Sequence, residues 1–144
     1  SGSRLNQPVC QTDILATLAE MIGAKLPHDA AEDSFSFLSE LKGEAGRLEK
    51  ILIHHSSNGR FAIRKGRWKL ILPKGKESSE LYDLNQDPSE SIELSKKYPK
   101  VVQDLRAEFS KAILKGRSTS GKPLQNDTPI WSDVAHLVIQ HSKK

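Results

Sequence analysis

Apolar positions recur with two different periods along the chain, and the change from one to the other divides it. Over residues 13–23, Ile14, Leu15, Leu18, Met21 and Ile22 stand at helical spacing, which predicts an apolar stripe on an amphipathic helix. Thr12 or Asp13 is placed to accept from the free N–H groups of its first turn, and Gly23 to provide a left-handed stop. The stripe is broad for the opening helix of a small domain, so it is expected to pack on something upstream. Residues 25–46, with Pro27, several acidic side chains and one short helical turn at 36–41, read as a surface connection.

The period then falls to two. Residues 51–55, 61–64 and 68–72 are short apolar or alternating runs separated by Asn58-Gly59 and Lys65-Gly66, dipeptides suited to tight antiparallel turns. They predict a three-stranded meander, with a fourth strand at 80–83. Asp87-Pro-Ser-Glu90 predicts a turn into a short helix, because proline suits a first helical position. From Pro99 the helical period returns, placing Val101, Val102, Leu105, Phe109, Ala112 and Ile113 on one face before a stop at Gly116. That face is expected to cover one side of the sheet. Beyond it Gly121, Pro123 and Pro129 break regularity, and 134–140 is left as a further helix or strand. The expected class is α+β: a small four-stranded antiparallel sheet packed by a long C-terminal helix.

Composition narrows the function. At 144 residues with 36% hydrophobic positions, the chain has enough apolar material for one domain with a modest core. A formal charge of +4 suits an anionic partner of several kinds. The basic residues are spread along the chain and aromatics make up 6%, so no basic and aromatic platform for nucleic acid emerges. No apolar run approaches the roughly 20 residues that span a bilayer, so no membrane partner is expected and any export signal lies outside these residues. The single cysteine, Cys10, excludes an internal disulfide and a Cys-clustered zinc site, and is expected to be a small buried residue.

Five segments, weak singly, make a strong signal in their order and spacing. They are residues 7–23, opening Gln7-Pro-Val-Cys10; His54-His55 through Phe61-Ala-Ile-Arg64; Gly66-Arg-Trp-Lys-Leu70; Leu81-Tyr-Asp-Leu84 with Asp87-Pro88 and Glu90; and Gly116-Arg-Ser-Thr119 with Asn126-Asp127. Together they resemble the C-terminal end of the formylglycine-dependent sulfatases, the arylsulfatase-like branch of the alkaline phosphatase superfamily. The resemblance runs from about Gln7 to Trp131. It implies an N-terminal α/β catalytic domain whose Cys or Ser, in a Cys/Ser-x-Pro-x-Arg motif, becomes formylglycine beside a calcium site. There the hydrated aldehyde attacks sulfur while the cation draws charge from the sulfate oxygens. No proline in this chain has Cys or Ser two positions before it, so that motif is missing, and no cluster of oxygen ligands for calcium is evident. The resemblance thus makes 1–46 the helix and connection that join the catalytic domain, and 47–144 the C-terminal subdomain. No catalytic residue and no metal ligand is assigned here.

What this part contributes is expected at polar strand ends beside a substrate cleft. His54 and His55, adjacent on a strand, point to opposite faces, so one at most faces a given cleft, and they diverge too far to form a zinc site. The resemblance favours His55 at the mouth of the cleft, as donor to a substrate hydroxyl or sulfate oxygen; a packed or solvated histidine is the competing reading. Arg64 either holds an anion bidentately or, the favoured reading, ties the sheet to a carboxylate such as Asp83. Trp68 and Tyr82 are expected in the core. Lys65, Lys74 and Lys76 form a loose basic rim around the 73–76 loop, and Arg117 is expected to contact the last helical carbonyls or the absent domain. Asp87, Glu90 and Asp127 read as turn and capping residues.

Three functions are open on these grounds: the C-terminal part of a sulfatase, inactive alone and paired with an N-terminal catalytic domain to act on a sulfated small molecule or glycan; a stand-alone module that binds sulfated or other anionic glycans; and a generic basic protein for nucleic acid. The broad stripe on the first helix favours the first, and makes self-association through that helix a testable consequence. The family also implies a periplasmic or secreted location.

Overall fold

The alternating runs pair as expected. In the computed structural model, which describes residues 7–44, 50–125 and 132–139, strands β1 (Ile51–His55), β2 (Phe61–Lys65), β3 (Trp68–Ile71) and β4 (Glu80–Asp83) form one antiparallel sheet in the order β1-β2-β3-β4. Ile53 lies opposite Ile63, Ile63 opposite Leu70, and Leu70 opposite Leu81. A two-residue turn, Gly66-Arg67, joins β2 to β3, and Gly66 has the positive φ of 54° that such a turn requires.

Because successive side chains alternate, this register sorts the sheet into two faces. One collects Ile51, Ile53, Phe61, Ile63, Leu70 and Leu81, and helix α3 (Pro99–Lys115) lays Leu105, Phe109 and Ala112 across it. Ile63, Leu70 and Leu81 are fully buried there, each contributing about 1.5–3 kcal/mol by removal from water. Helix α4 (Ser132–Ile139) resolves the open choice at 134–140, and Val134 joins this core. Trp68 is half-buried at its edge, between Tyr98 and the guanidinium of Arg67. The opposite face carries Leu52, His54, Ala62, Arg64, Lys69, Ile71 and Tyr82; Leu52 and Tyr82 are buried on it, and its central part, from His54 across Arg64 to Lys69, borders a groove.

The N-terminal part carries the expected exposed stripe, but its inner side and the residues after it depart from expectation. Helix α1 (Asp13–Met21) turns its polar side inward: Asp13, Thr17 and Ala19 are buried, whereas Ile14, Leu15, Leu18 and Met21 are about half exposed and Ile22 is 77% exposed. Thr12 makes no side-chain cap. Asp13, instead of capping the first turn, accepts from the N–H of Cys10 at 2.8 Å and of Phe35 at 2.9 Å and pairs with Lys50, which stands immediately before the sheet. The 25–46 stretch is therefore more than a surface connection. Ser34 accepts from Ala16 N–H, Thr17 from Phe37 N–H, and Ser34, Leu38 and Ser39 are buried around helix α2 (Leu38–Leu41). Polar packing of this kind leaves no periodic apolar signal, which is why the sequence conceals it.

No short helix follows Asp87. Its carboxylate accepts from the N–H groups of Ser91 and Ile92 and the hydroxyls of Ser89 and Ser91, which stabilises a series of turns instead and holds its pKa below the ordinary carboxylate value. Those turns place Glu90 at a φ of 57°. Glu93 and Leu94 then hydrogen-bond the backbone of Leu81 and protect the outer edge of β4.

Candidate functional site

The central part of this second sheet face forms the floor of an open groove of about 530 Å³. Ala62 and Ile71 supply an apolar base, Leu84 closes one end, and Ser56, Asn58 and Arg60 rise from the β1–β2 loop at the other. Besides Arg60 of that loop and His55 at the strand end, four charged or titratable side chains line it: His54 from β1, Arg64 from β2, Lys69 from β3 and Glu90 from the turns after β4. Cross-strand pairing brings Arg64 opposite Lys69, with His54 on the same face one strand away.

These cations are held differently. Lys69 Nζ donates to both Glu90 carboxylate oxygens, at 2.6 and 2.7 Å. Arg60 is occupied by Glu80 at 2.8 Å, Glu77 at 3.2 Å and the carbonyl of Ser78, which anchors the loop before β4. Arg64 donates only from Nε, at 3.4 Å, to the carbonyl of Gly66, and its two terminal nitrogens have no partner among the described residues. The expected tie from Arg64 to Asp83 does not form: Asp83 lies on the core face, where Arg67 reaches it at 3.3 Å. Burial, then the charges of Lys69 and Arg64, hold the His54 imidazole below its ordinary pKa of 6.5.

The histidines diverge as strand geometry requires. His54 stands on the groove face, whereas His55 lies on the α3 side, stacked on Phe61 with ring centroids 4.3 Å apart, and borders the groove from the strand end. Tyr82 is buried as expected, and its hydroxyl donates to Glu80 at 2.7 Å, which raises its pKa to about 12.

Other expectations are corrected. Lys65 bonds Glu108 of α3 at the opposite end of the hairpin from 73–76, so it is no part of a basic rim there; Lys74 donates to the Asn58 carbonyl at the groove's loop end. Glu90 is a partner of Lys69, 21 residues away, and not a cap; nothing in the local sequence signals the pairing. Cys10 is half-exposed. Asp127, Asn126 and Trp131 fall outside the described residues.

Arg117 is structural. It is 8% exposed and donates to the carbonyl of His28 at 2.9 Å and to Thr119 Oγ1 at 3.0 Å, while Thr119 Oγ1 donates to Glu32 O and Ser118 N–H to Asp33. Gly121 belongs to this clasp, since a Cβ there would come within 2.7 Å of Arg117 Nη1.

No three His, Cys, Asp or Glu side chains among the described residues gather where they are able to hold a metal ion. The most engaged carboxylates, Asp13 and Asp87, already have partners, so the donors present do not fit a calcium site. Nor is any helix among the described residues long and apolar enough to cross a membrane.

Comparison with known proteins agrees with this architecture. The family model for the C-terminal region of N-sulphoglucosamine sulphohydrolases matches residues 1–115. An N-acetylgalactosamine-6-O-sulfatase of Bacteroides thetaiotaomicron is 36% identical over a stretch covering 66% of this chain and 21% of that enzyme. Among solved structures, a 6S-sulfatase from the Bacteroides thetaiotaomicron core locus for metabolism of multiple glycosaminoglycans matches with a TM-score of 0.59 and 33% identity, over 70% of this chain and 24% of that one. A 2-O GAG sulfatase matches with a TM-score of 0.58 and 28% identity, with the same coverage. The chain thus spans about a fifth of the length of the curated relative. A family model covering most of the chain, on the four-stranded α+β fold that these sulfatases share with it, shows that the chain belongs to the C-terminal sulfatase family.

Proposed function

We propose that this chain is the substrate-side C-terminal part of a sulfatase that hydrolyses sulfate esters, inactive until joined to an N-terminal catalytic domain. The observation that carries the reading is the contrast between the two sheet faces. One is sealed by α3, and the other carries at its centre an open groove presenting Arg64 and His54, with His55 at its strand end. In this reading the groove walls the substrate cleft, His54, His55 and Arg64 contact the substrate, and the exposed stripe of α1 packs on the catalytic domain. Formylglycine and calcium belong to that domain, where they supply the attack on sulfur and the charge withdrawal. The residues of this chain bind and orient the sulfated molecule. The names of the relatives, an N-acetylgalactosamine-6-O-sulfatase and a GAG sulfatase, support a sulfated glycan as that molecule. The proposal includes the periplasmic or secreted location that the family implies.

The test compares turnover of a chromogenic aryl sulfate, with calcium present, by this chain alone and by the same chain joined to an upstream sulfatase catalytic domain. Turnover only in the joined form, with an increased KM on His54→Ala, His55→Ala or Arg64→Ala, is the expected result. Turnover by the 144 residues alone overturns the reading. Specific glycan binding by this chain, with no activity in the joined form, favours the stand-alone binding module instead.

A further inference from the structure

The groove contains more positive groups than it offers to a ligand. Arg60 is consumed by the loop that it anchors, and Lys69 is neutralised by a two-pronged contact with Glu90. What remains for an incoming anion is one planar guanidinium, Arg64, with both terminal nitrogens unused among the described residues. Beside it lie the apolar surfaces of Ala62 and Ile71 and an ion pair that both donates and accepts.

Resting on the cleft reading above, we infer that this groove takes one pyranose unit carrying a single anionic substituent, with Arg64 gripping the anion and the Lys69–Glu90 pair reading the sugar hydroxyls and rejecting bare anions. Each part has a physical warrant. A guanidinium matches the paired oxygens of a sulfate or carboxylate and binds them in two-pronged fashion. A pyranose ring presents C–H groups that fit an apolar floor, and hydroxyls that both donate and accept, as do Lys69 and Glu90. A groove of about 530 Å³ is of the size that takes a small ligand. Glu90 is held at a φ of 57°, a conformation rare for a residue with a side chain, and the Asp87 turns that impose it aim its carboxylate at Lys69. Without that carboxylate the groove would have two adjacent free cations and would attract any small dianion. With it, a ligand must satisfy the pair through hydroxyls as well as meet Arg64, so Glu90 and Lys69 act as specificity residues.

The experiment is calorimetric titration of this chain with three probes: a monosulfated N-acetylhexosamine, its unsulfated parent and inorganic sulfate. The sulfated sugar is expected to bind about tenfold more tightly than either control. Arg64→Ala is expected to bring the sulfated sugar down to the affinity of its unsulfated parent, and Arg64→Lys to recover part of the loss. Glu90→Gln moves in the opposite direction: by releasing Lys69 it tightens inorganic sulfate several-fold without a matching gain for the sulfated sugar, so the preference between them collapses. An unfolded variant cannot gain affinity, so this result is not produced by misfolding. The inference is overturned if Arg64→Ala binds the sulfated sugar as wild type does, or if Glu90→Gln leaves the preference unchanged. Binding is read without turnover, so a joined enzyme that proves inactive while these ratios hold sinks only the catalytic reading. An active joined enzyme whose ratios are flat sinks only this inference.

Discussion

Arg60 and Arg64 lie four positions apart and carry the same charge, yet the fold uses them differently. Arg60 emerges where the loop before β4 passes, and Glu77, Glu80 and the carbonyls of Leu72 and Ser78 take its donors; Arg64, the fourth residue of β2, lies on the groove face and, among the described residues, keeps its two terminal nitrogens free for the groove. Sequence alone identifies both as cations but not which of them is engaged, because Glu77 and Glu80 reach Arg60 only through tertiary folding. His54 senses the same surroundings. Partial burial, then Lys69 on β3 and Arg64 on β2, disfavour its protonation. Since its folded pKa lies below 6.5, the unfolded chain takes up this proton first as pH falls. The associated stability is complete above 6.5 and lost as pH drops through the folded value. Urea midpoints measured across that range are expected to fall with pH in the native chain and to fall less in His54→Gln. Parallel curves would assign the decline to another group.

At the scale of elements, the strands and α3 are legible because each is specified locally. A period of two with turn dipeptides specifies the meander, and a helical apolar face bounded by Pro99 and Gly116 specifies α3. The α1 stripe is legible too, but its inner face is not, since Asp13 and Thr17 are buried by hydrogen bonds to residues 34–37 and not by apolar contact. The Asp13 side chain is fully buried and Lys50 is its only cationic partner among the described residues. Lys50→Ala therefore leaves a buried carboxylate without its counter-charge and is expected to cost about 3–5 kcal/mol, read from urea unfolding. A cost below about 1 kcal/mol, as for an exposed pair, would mean that water reaches Asp13 in solution.

For the whole molecule, the outward stripe of α1 is its most conspicuous unfinished surface. Ile14, Leu15, Leu18, Met21 and Ile22 lie side by side on a helix whose other side is already occupied. Soluble proteins rarely leave such a patch uncovered. Sedimentation velocity on this chain alone is expected to show concentration-dependent association, abolished by Leu15→Lys with Leu18→Glu. In the joined enzyme the same pair is expected to lower the unfolding temperature without changing the association state. A chain that stays monomeric alone, in an enzyme indifferent to the pair, would free the stripe from both roles.

The Arg117 clasp also constrains the order of folding. Its bonds to His28 and Glu32 close loops of 89 and 87 residues, whereas the meander and α3 are built from near neighbours in sequence. Long closures are entropically the most demanding and are repaid last. The sheet with α3 is therefore expected to form first, and during synthesis residues 28–33 must wait for residues 117–119 before this clasp closes.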